Sequence, residues 1–532
     1  MRASGILLPV FSLPGKYGTG CFSEEAKKFI DKLAAAGQKY WQILPLAHSG
    51  GWYSPYQPLS CFAIDPAFID PDTLIRKGLI TEADAADLIA TAAEQPSDRI
   101  DHGALLPVRM KLLRRAFSNF CSAADSSDLR HLHERFEEFC RSNSYWLDDY
   151  ALFISLTRYH HTPDWSRWET EYRTRDPKAL KDFSGNENNE FYKWLQFEAY
   201  SEWQDICTYA HQKNVEIIGD IPIYAAYESA DCWAHPELFK LKKSLRPEAV
   251  AGCPPDAFSP TGQIWGNPLY KWSYHKQTGY KWWLERLTQN FEMYDVIRLD
   301  HMRGFESFFS VPSNAGTALE GHWMRGPGMD FFDHVSRRLP NGKFIAEDLG
   351  YITPAVQKLI AQTGLPGMKV LQFAFDTDPD NIYLPDHYTK NCVVYTGTHD
   401  NDTTVGWYMH LDIEIRRFVT SFIRSQSGSQ PADSAKAPEF GAKTAARSLV
   451  QIALRSVADT CIIPLQDHLL LGSSARVNTP GTTGDNWNWR MEDDMFTDEV
   501  AAYILMLTKE SGRLQTSTSA DQQTLLNAQK LC

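Results

Sequence analysis

The chain has 532 residues, of which 43% are hydrophobic and 22% are charged. This composition is typical of a globular protein and excludes disorder as the main state, because such a chain can bury a large core. Its 53 basic and 66 acidic residues give a net charge of −13. That charge disfavours both a nucleic-acid binder and a protein held on anionic membranes.

The N-terminal sequence and the cysteines predict a cytoplasmic protein. No apolar run approaches the roughly 20 residues of a membrane-spanning helix, and the first residues lack the basic-then-apolar order of a signal peptide. The ten cysteines are scattered, without a Cys-x-x-Cys pair. This spacing favours free thiols in a reducing compartment over disulfides or a zinc site.

Short apolar segments rich in β-branched and aromatic residues alternate with helical patterns along the chain. This alternation predicts a parallel sheet with helical crossovers, and eight such segments predict a (β/α)8 TIM barrel. The candidate strands are Ile6–Val10, Tyr40–Leu44, Val215–Ile221, Asp295–Asp300, Lys343–Glu347, Met368–Phe373, Cys392–Thr396 and Thr460–Pro464.

The spacing of the candidate strands is unequal and predicts inserted, mostly helical subdomains. About 170 residues separate the second and third strands, which is too long for one crossover. We therefore expect a single catalytic barrel over residues 1–532 with two insertions. The first, at 66–214, is predicted to be helical, and the second, at 222–292, to be loop-rich and to bind substrate.

Acidic residues stand at the ends of three of the candidate strands: Asp300 and Glu347 are the last residues of theirs, and Asp400 follows the third. The carboxyl ends of barrel strands surround the active site, so the topology directs these side chains towards it. A single acid at a strand end is most simply a helix cap, but three in this position indicate a catalytic site.

Two of these acids fit the chemistry of a retaining glycosidase, which needs two carboxyls about 5–5.5 Å apart. Arg298 lies two residues before Asp300, hence on the same face of the strand, and it is expected to lower the pKa of that carboxyl. The alternative is a buried ion pair that only closes the top of the barrel. Glu347 has to keep its proton, so we expect it to face a less polar wall.

At these residues the chain resembles the amylomaltases, the 4-α-glucanotransferases of the wider α-amylase clan. The resemblance extends in order over nearly the whole chain, which makes it specific. The matching segments are Ser54–Gln57, Trp146–Phe153, Gly219–Tyr224, Trp265–Tyr270, Arg298–His301, Ala346–Gly350, Gly397–Thr403 and Asn478–Thr482.

The resemblance implies a role for each of the three acids. Asp300 would be the nucleophile that forms a glucosyl-enzyme, and Glu347 would be the general acid and base. Asp400 would hold sugar hydroxyls and stabilise the distorted ring. The substrate-binding residues implied in the same way are Tyr56, Asp220, Arg298, His399, Trp265 and Asn267.

The resemblance also implies the substrates and partners. The chain would transfer α-1,4-glucan segments by a retaining double displacement. Donors would be maltooligosaccharides and the chains of glycogen or starch, and glucose would serve as an acceptor. No metal ion or organic cofactor, no nucleic acid and no membrane is expected, and the chain is predicted to be a monomer or a weak homodimer.

Two other functions are compatible with the same pattern. A hydrolase on the same barrel would pass the glucosyl group to water, and incubation with maltotriose separates the two because only transfer yields longer sugars. A non-catalytic glucan-binding protein is the second alternative, but such a protein would not need a proton donor beside a nucleophile.

Two further positions leave open questions. His301 alternates away from Asp300 on its strand, so a packing role or a structural hydrogen bond is as plausible as contact with substrate. Ala257 stands where the family often has a bulky residue. We expect a looser lid there, measurable hydrolysis beside transfer, and a lower ratio of hydrolysis to transfer in Ala257→Tyr.

Overall fold

The computed structural model describes residues 2–50, 53–122, 130–255, 259–376, 378–426 and 440–515. The predicted lid residue Ala257 lies outside these described residues. None of the described helices is both long enough and apolar enough to cross a membrane.

The strands of the described chain form a barrel and a second, smaller sheet. Their bounds are β1 Ala3–Leu7, β2 Tyr40–Gln42, β3 Glu216–Ile221, β4 Ala249–Cys253, β5 Gln263–Pro268, β6 Val296–Leu299, β7 Ser307–Pro312, β8 His322–Arg325, β9 Lys343–Ala346, β10 Gly367–Val370, β11 Cys392–Tyr395 and β12 Thr460–Pro464.

Eight parallel strands close the barrel, in the order β1, β12, β11, β10, β9, β6, β3, β2. Each corresponds to one of the eight candidate strands, so the predicted (β/α)8 class is confirmed. The barrel closes where β1 pairs with β12, from Ala3 opposite Thr460 to Leu7 opposite Pro464. Most of the observed strands are shorter than predicted, and Asp300 and Glu347 come directly after β6 and β9 instead of ending them.

Helices cover the outside of the barrel and fill the long connections. Their bounds are α1 Glu24–Ala35, α2 Pro71–Arg76, α3 Ala86–Ala93, α4 His102–Ser122, α5 Arg130–His160, α6 Thr170–Arg173, α7 Pro177–Ser184, α8 Glu187–Gln212, α9 Ala230–Ala234, α10 Trp272–Gln277, α11 Lys281–Met293, α12 Met329–Arg338, α13 Pro354–Thr363, α14 Thr404–His410, α15 Ile413–Gln426, α16 Ala442–Arg455, α17 Leu465–His468 and α18 Asp498–Glu510.

Local signals explain several of these helix starts. The Ser23 hydroxyl accepts a hydrogen bond from the Glu25 backbone N–H at the start of α1, and Thr353 caps α13 in the same way. Capping of this kind satisfies backbone donors that have no partner within the helix. Pro354 follows at the first helical position, where proline is well tolerated.

The interior of the barrel is packed by one face of its strands, because side chains alternate along a strand. These side chains form a cluster of their own, separate from the core between the strands and the helices. Its buried members are Leu7, Ile218, Val296, Ile345, Met368, Val370, Val393, Tyr395 and Ile462. Two of them, Ile218 and Val296, lie two residues before Asp220 and Arg298, which therefore share the inward face.

The second sheet is antiparallel and has the order β5, β4, β7, β8. The sequence pattern does not predict this sheet: β4 and β5 lie within 222–292, which was predicted to be loop-rich, and β7 and β8 follow β6. In the described residues of 66–214 the regular structure is α2 to α8 with two short 3-10 turns. The division into a barrel with insertions at 66–214 and 222–292 stays a prediction.

Arg513 ties the two ends of the described chain to the loop before β12. It is fully buried, at 0% exposure. Its Nε donates to the Leu454 carbonyl (2.7 Å), its Nη1 to the Ala3 carbonyl (2.9 Å) and its Nη2 to the Ala458 carbonyl (2.9 Å). One guanidinium thus satisfies backbone groups at the strand pair that closes the barrel.

We expect Arg513→Ala to lower the free energy of unfolding by about 3 kcal/mol or more, because it removes the hydrogen bonds that a fully buried guanidinium donates to several backbone carbonyls. Arg455→Ala is the matched control. The Arg455 side chain is 59% exposed and 3.8 Å from Glu510, so its loss should change stability by no more than about 0.5 kcal/mol. Parallel urea denaturation measures both, and equal midpoints would contradict the role given to Arg513.

Candidate active site

Neighbouring strands of the barrel bring Asp220 and Arg298 together. Asp220 on β3 is the register partner of Arg298 on β6, and both side chains point into the barrel. Both are buried, at 1% and 3% exposure. Asp300 follows β6 at once, and its backbone N–H donates to the Ile221 carbonyl at the end of β3. The topology therefore places two carboxyls and one guanidinium at the same end of the barrel.

A single nitrogen of Arg298 contacts both carboxylates. Its Nη1 donates to Oδ1 and Oδ2 of Asp220, at 2.9 and 2.8 Å, and to Oδ1 of Asp300, at 2.9 Å. The Asp300 side chain remains 27% exposed. A ligand in the barrel mouth can thus reach the Asp300 carboxyl, while the arginine fixes it from below.

Backbone donors hold Glu347, the second predicted catalytic acid. Its Oε2 accepts from the His301 N–H at 2.8 Å and its Oε1 from the Leu349 N–H at 2.7 Å. The expectation of a less polar wall around Glu347 was therefore wrong. The His301 bond also connects Glu347 to the turn that follows Asp300.

His301 does not continue the β6 strand, as the alternation argument assumed. Its backbone has φ of 52° and ψ of 49°, in the left-handed region. This conformation turns its N–H towards Glu347. Burial lowers the pKa of the His301 imidazole to about 3, so the ring is neutral near pH 7.

The pKa values of the two catalytic candidates are both raised. Burial raises the pKa of the Asp300 carboxyl, and the Arg298 guanidinium acts against that shift. Burial raises the pKa of Glu347 as well, against Arg298 and the two backbone donors. Arg298 does favour the charged form of Asp300, as predicted, but the effect of burial is larger.

A chain of hydrogen bonds leads from Asp220 across the barrel mouth to Asp400. The Tyr56 hydroxyl is 2.7 Å from Asp220 Oδ2 and 2.8 Å from His399 Nε2. The carboxylate beside Arg298 can only accept, so Tyr56 donates to it and His399 Nε2–H donates to Tyr56. The same nitrogen is 3.4 Å from Asp400 Oδ1.

Two residues near Asp400 were not among the sequence-predicted site residues. The Asn478 side-chain amide donates to Asp400 Oδ1 at 2.6 Å, and Arg476 Nη2 donates to the Asp400 carbonyl at 2.7 Å. Asn478 begins one of the segments that carry the family resemblance, which was a usable signal. Arg476 precedes that segment and had no such signal.

The two residues of β5 that were predicted to contact sugar, Trp265 and Asn267, differ in their burial and in their partners. The Trp265 ring is half-buried and packs at a right angle to His301, with 4.9 Å between ring centroids. Asn267 is buried, at 4% exposure. Its amide donates to the Ala225 carbonyl at 3.1 Å, and its Oδ1 accepts from Gln57 at 3.1 Å. Asn267 therefore joins the segment of Tyr56 to β5, and its contact with sugar stays a prediction.

The arrangement is suited to acid–base and nucleophilic chemistry at one centre. The Asp300 carboxyl is paired with Arg298. The Glu347 carboxyl follows the neighbouring strand and has a raised pKa, and the Asp400 side chain is 45% exposed. Pairs of carboxyls with different surroundings are how proteins separate a nucleophile from a proton donor. Among the described residues, no group of three His, Cys, Asp or Glu side chains could hold a metal ion.

Comparison with known proteins gives one consistent result. A family model described as 4-alpha-glucanotransferase, of glycoside hydrolase family 77, matches residues 8–496. A 4-alpha-glucanotransferase from Clostridium butyricum is 41% identical over 95% of this chain and 100% of its own length. One from a Synechocystis species is 40% identical over 96% and 98%.

A solved structure agrees with these relatives. An amylomaltase from Streptococcus agalactiae, determined in complex with acarbose, superposes with a TM-score of 0.89 at 33% identity, covering 96% of this chain and 100% of the other. These matches extend over the barrel and over the long segments between its strands. The chain therefore belongs to glycoside hydrolase family 77, the 4-alpha-glucanotransferases.

Proposed function

We propose that Asp300 and Glu347 are the nucleophile and the acid–base group with which this 4-alpha-glucanotransferase transfers glucan segments. The observation that carries the proposal is the pair of contacts at the end of β6. Arg298 fixes the Asp300 carboxyl, and the His301 N–H after it fixes Glu347. One turn thus orients both groups towards the same bound atom.

In the first step the Asp300 carboxylate attacks the anomeric carbon of the donor. The bond from that carbon to the glycosidic oxygen breaks, and Glu347 gives its proton to the departing oxygen. The product is a β-linked glucosyl-enzyme ester and a shortened glucan. Asp300 Oδ1 accepts from Arg298, and within the described part of the chain Oδ2 has no donor, so Oδ2 is the attacking atom.

The second step reverses the first, with an acceptor sugar in place of the shortened glucan that has left. The Glu347 carboxylate takes the proton of an acceptor 4-hydroxyl, and the oxygen attacks the anomeric carbon. The ester bond to Asp300 breaks and the carboxylate is restored. Two displacements at one carbon preserve the α configuration, which is the retaining outcome of this family.

The hydrogen-bonded row from Asp220 to Asp400 is proposed to bind the glucose at the reacting position. The Asp400 side chain is 45% exposed, against 27% for Asp300, and Asp400 is proposed to hold sugar hydroxyls. His399 is 4% exposed, and burial lowers the pKa of its imidazole. We infer that it acts as a neutral donor, fixed through Tyr56.

The natural substrates and the compartment are part of the same proposal. We infer that the donors are maltooligosaccharides and the chains of glycogen or starch, with glucose among the acceptors, and that the chain works as a monomer or weak homodimer. Eight cysteines within the described ranges are free thiols: Cys21, Cys61, Cys121, Cys140, Cys207, Cys232, Cys392 and Cys461. Free thiols support a reducing compartment, the cytoplasm.

Replacing either carboxyl tests their roles. We expect Asp300→Asn to abolish transfer and Glu347→Gln to slow transfer from maltotriose by about 10²–10⁴, the usual effect of a positioned acid and base. With a glucosyl fluoride donor, Glu347→Gln should still release fluoride at a near wild-type rate, because fluoride needs little protonation to leave. Rapid quenching and mass spectrometry should then show the glucosyl ester on Asp300. Full activity of Glu347→Gln on maltotriose would disprove the assignment.

The pH profile tests the raised pKa values. Transfer needs Asp300 ionised and Glu347 protonated, so kcat/KM on maltotriose should be bell-shaped. Because burial raises the pKa of Asp300, the acid limb should lie above the ordinary aspartate range near pH 4. In Glu347→Gln with glucosyl fluoride only the acid limb should remain, since there is no acid left to lose its proton. An alkaline limb that persists in this variant would show that another group is the acid.

The outcome of the second step separates transfer from hydrolysis. Pure maltotriose should give glucose together with maltopentaose and longer sugars, resolved by chromatography against standards. A hydrolase gives only maltose and glucose. Reducing ends measured in parallel give the hydrolytic share, because transfer leaves their number unchanged and hydrolysis increases it.

A further inference from the structure

Two large aromatic side chains are exposed beside the catalytic turn. Trp323 on β8 is 37% exposed and Tyr351, four residues after Glu347, is 69% exposed. Large exposed apolar surface close to an active site commonly marks a binding surface. Neither residue belongs to the hydrogen-bonded row that connects Asp220 with Asp400.

A buried arginine connects these two aromatic residues. Arg303 is 5% exposed, and its guanidinium carbon is 3.7 Å from the centre of the Trp323 ring and 5.9 Å from that of Tyr351. Its Nη1 donates to the Tyr351 carbonyl and its Nη2 to the Ser307 hydroxyl, the latter at 3.1 Å. The guanidinium therefore covers one face of Trp323 and fixes the backbone of Tyr351.

The Trp323 ring is also supported from its own sheet. Phe309 is its register partner on β7, and the two rings pack edge to face, with an interplanar angle of 66° and centroids 5.1 Å apart. A ring held by a guanidinium and a second ring loses little freedom when it binds a ligand, which favours affinity. The exposed surface of Trp323 is thus rigid and ready for stacking.

The position of Arg303 places these rings on one side of the reaction. Arg303 is in the short 3-10 turn Met302–Phe305 directly after the nucleophile. The N–H of Met302 donates to the Glu347 carbonyl at 3.0 Å. Glu347 has to lie beside the glycosidic oxygen, between the sugar that is transferred and the sugar that leaves. Tyr56, Asp220 and His399, by contrast, contact the transferred sugar in the proposed function.

We propose that Trp323 and Tyr351, held by Arg303, form a stacking platform for the acceptor glucan. The apolar faces of glucose units match flat aromatic faces, and a rim with such high exposure suits a ligand that extends into solvent. Tyr351 comes four residues after Glu347 and is far more exposed, so we infer that the platform meets the second and later sugars of the acceptor. The platform therefore selects oligosaccharide acceptors over free glucose.

This inference rests on the proposed function, and a fluoride donor separates the two. With maltotriosyl fluoride, kcat/KM for the donor reports only formation of the glucosyl-enzyme, in which no acceptor sugar takes part. The KM for added glucose, maltose or maltotriose reports the second half of the reaction. The two halves are measured in one assay by fluoride release and by product chromatography.

We expect Trp323→Ala and Tyr351→Ala to raise the KM for maltotriose as acceptor by roughly three- to tenfold, the equivalent of one lost stacking contact. The KM for glucose and the donor kcat/KM should change less than about twofold by the same measure. Tyr351→Phe keeps the ring and should resemble the wild type. If Trp323→Ala fails to fold, Tyr351→Ala carries the test, because its ring is the more exposed.

The matched control is Tyr159→Ala on α5. Tyr159 is 58% exposed and its ring contacts His160, Tyr172 and Phe183, so its removal should leave both acceptor KM values unchanged. Unchanged KM for maltotriose in both platform variants would overturn the inference, as would an equal rise for glucose and maltotriose. Normal fluoride release by Asp300→Asn would instead overturn the proposed function itself.

Discussion

The site depends on one buried cation between two acids. Arg298 lies inside the barrel, where a charge without a partner would be very costly. Its Nη1 contacts both Asp220 and Asp300, so removing either carboxylate leaves a buried charge less well compensated. A lysine could not replace it, because an ammonium group on a flexible stem lacks the fixed planar geometry of the guanidinium. The arginine also sets the direction of Tyr56, through Asp220, and by that route the tautomer of His399.

Burial and the Arg298 guanidinium have opposite effects on the pKa of Asp300. A carboxyl inside a barrel resists ionisation, and a neighbouring cation favours it. At Asp300 the effect of burial is the larger. Glu347, which follows the neighbouring strand, also has its pKa raised by burial. Two such carboxyls after adjacent strands titrate as a pair, so a state in which the pair carries a single proton exists over a range of pH. That singly protonated pair is what a double displacement requires at its start.

The sequence was most informative where its local pattern and the topology agree. Apolar β-type segments predicted all eight barrel strands, and acids after them predicted Asp300, Glu347 and Asp400 at one end of the barrel. The pattern could not show that β6 stops at Leu299, and the alternation argument for His301 failed for that reason. The left-handed backbone conformation of His301 goes with the hydrogen bond from its N–H to Glu347, which lies 46 positions away in the chain.

Contacts made by tertiary packing were also out of reach. The β4, β5, β7 and β8 sheet was missed because β5 and β8 carry exposed residues such as Ile264 and Trp323, although the apolar Phe308–Val311 segment of β7 was a usable signal. The donors around Glu347 are backbone groups, which every residue has, so no residue type could reveal them. Asn267 carries a side-chain amide of the kind that binds sugar hydroxyls, yet this amide joins two segments of the protein.

The closure of the barrel by its first and last strands has a consequence for synthesis on the ribosome. The chain emerges from its N-terminus, and β1 finds its neighbour β12 only after Thr460 has been made. Until then the free edges of β1 and β11 expose unpaired backbone groups of the kind that invite wrong pairing. Asp300, Glu347 and Asp400 are all already synthesised by that time, but the nascent barrel around them is open. The growing chain is therefore most in need of chaperone protection in the interval before its final strand appears.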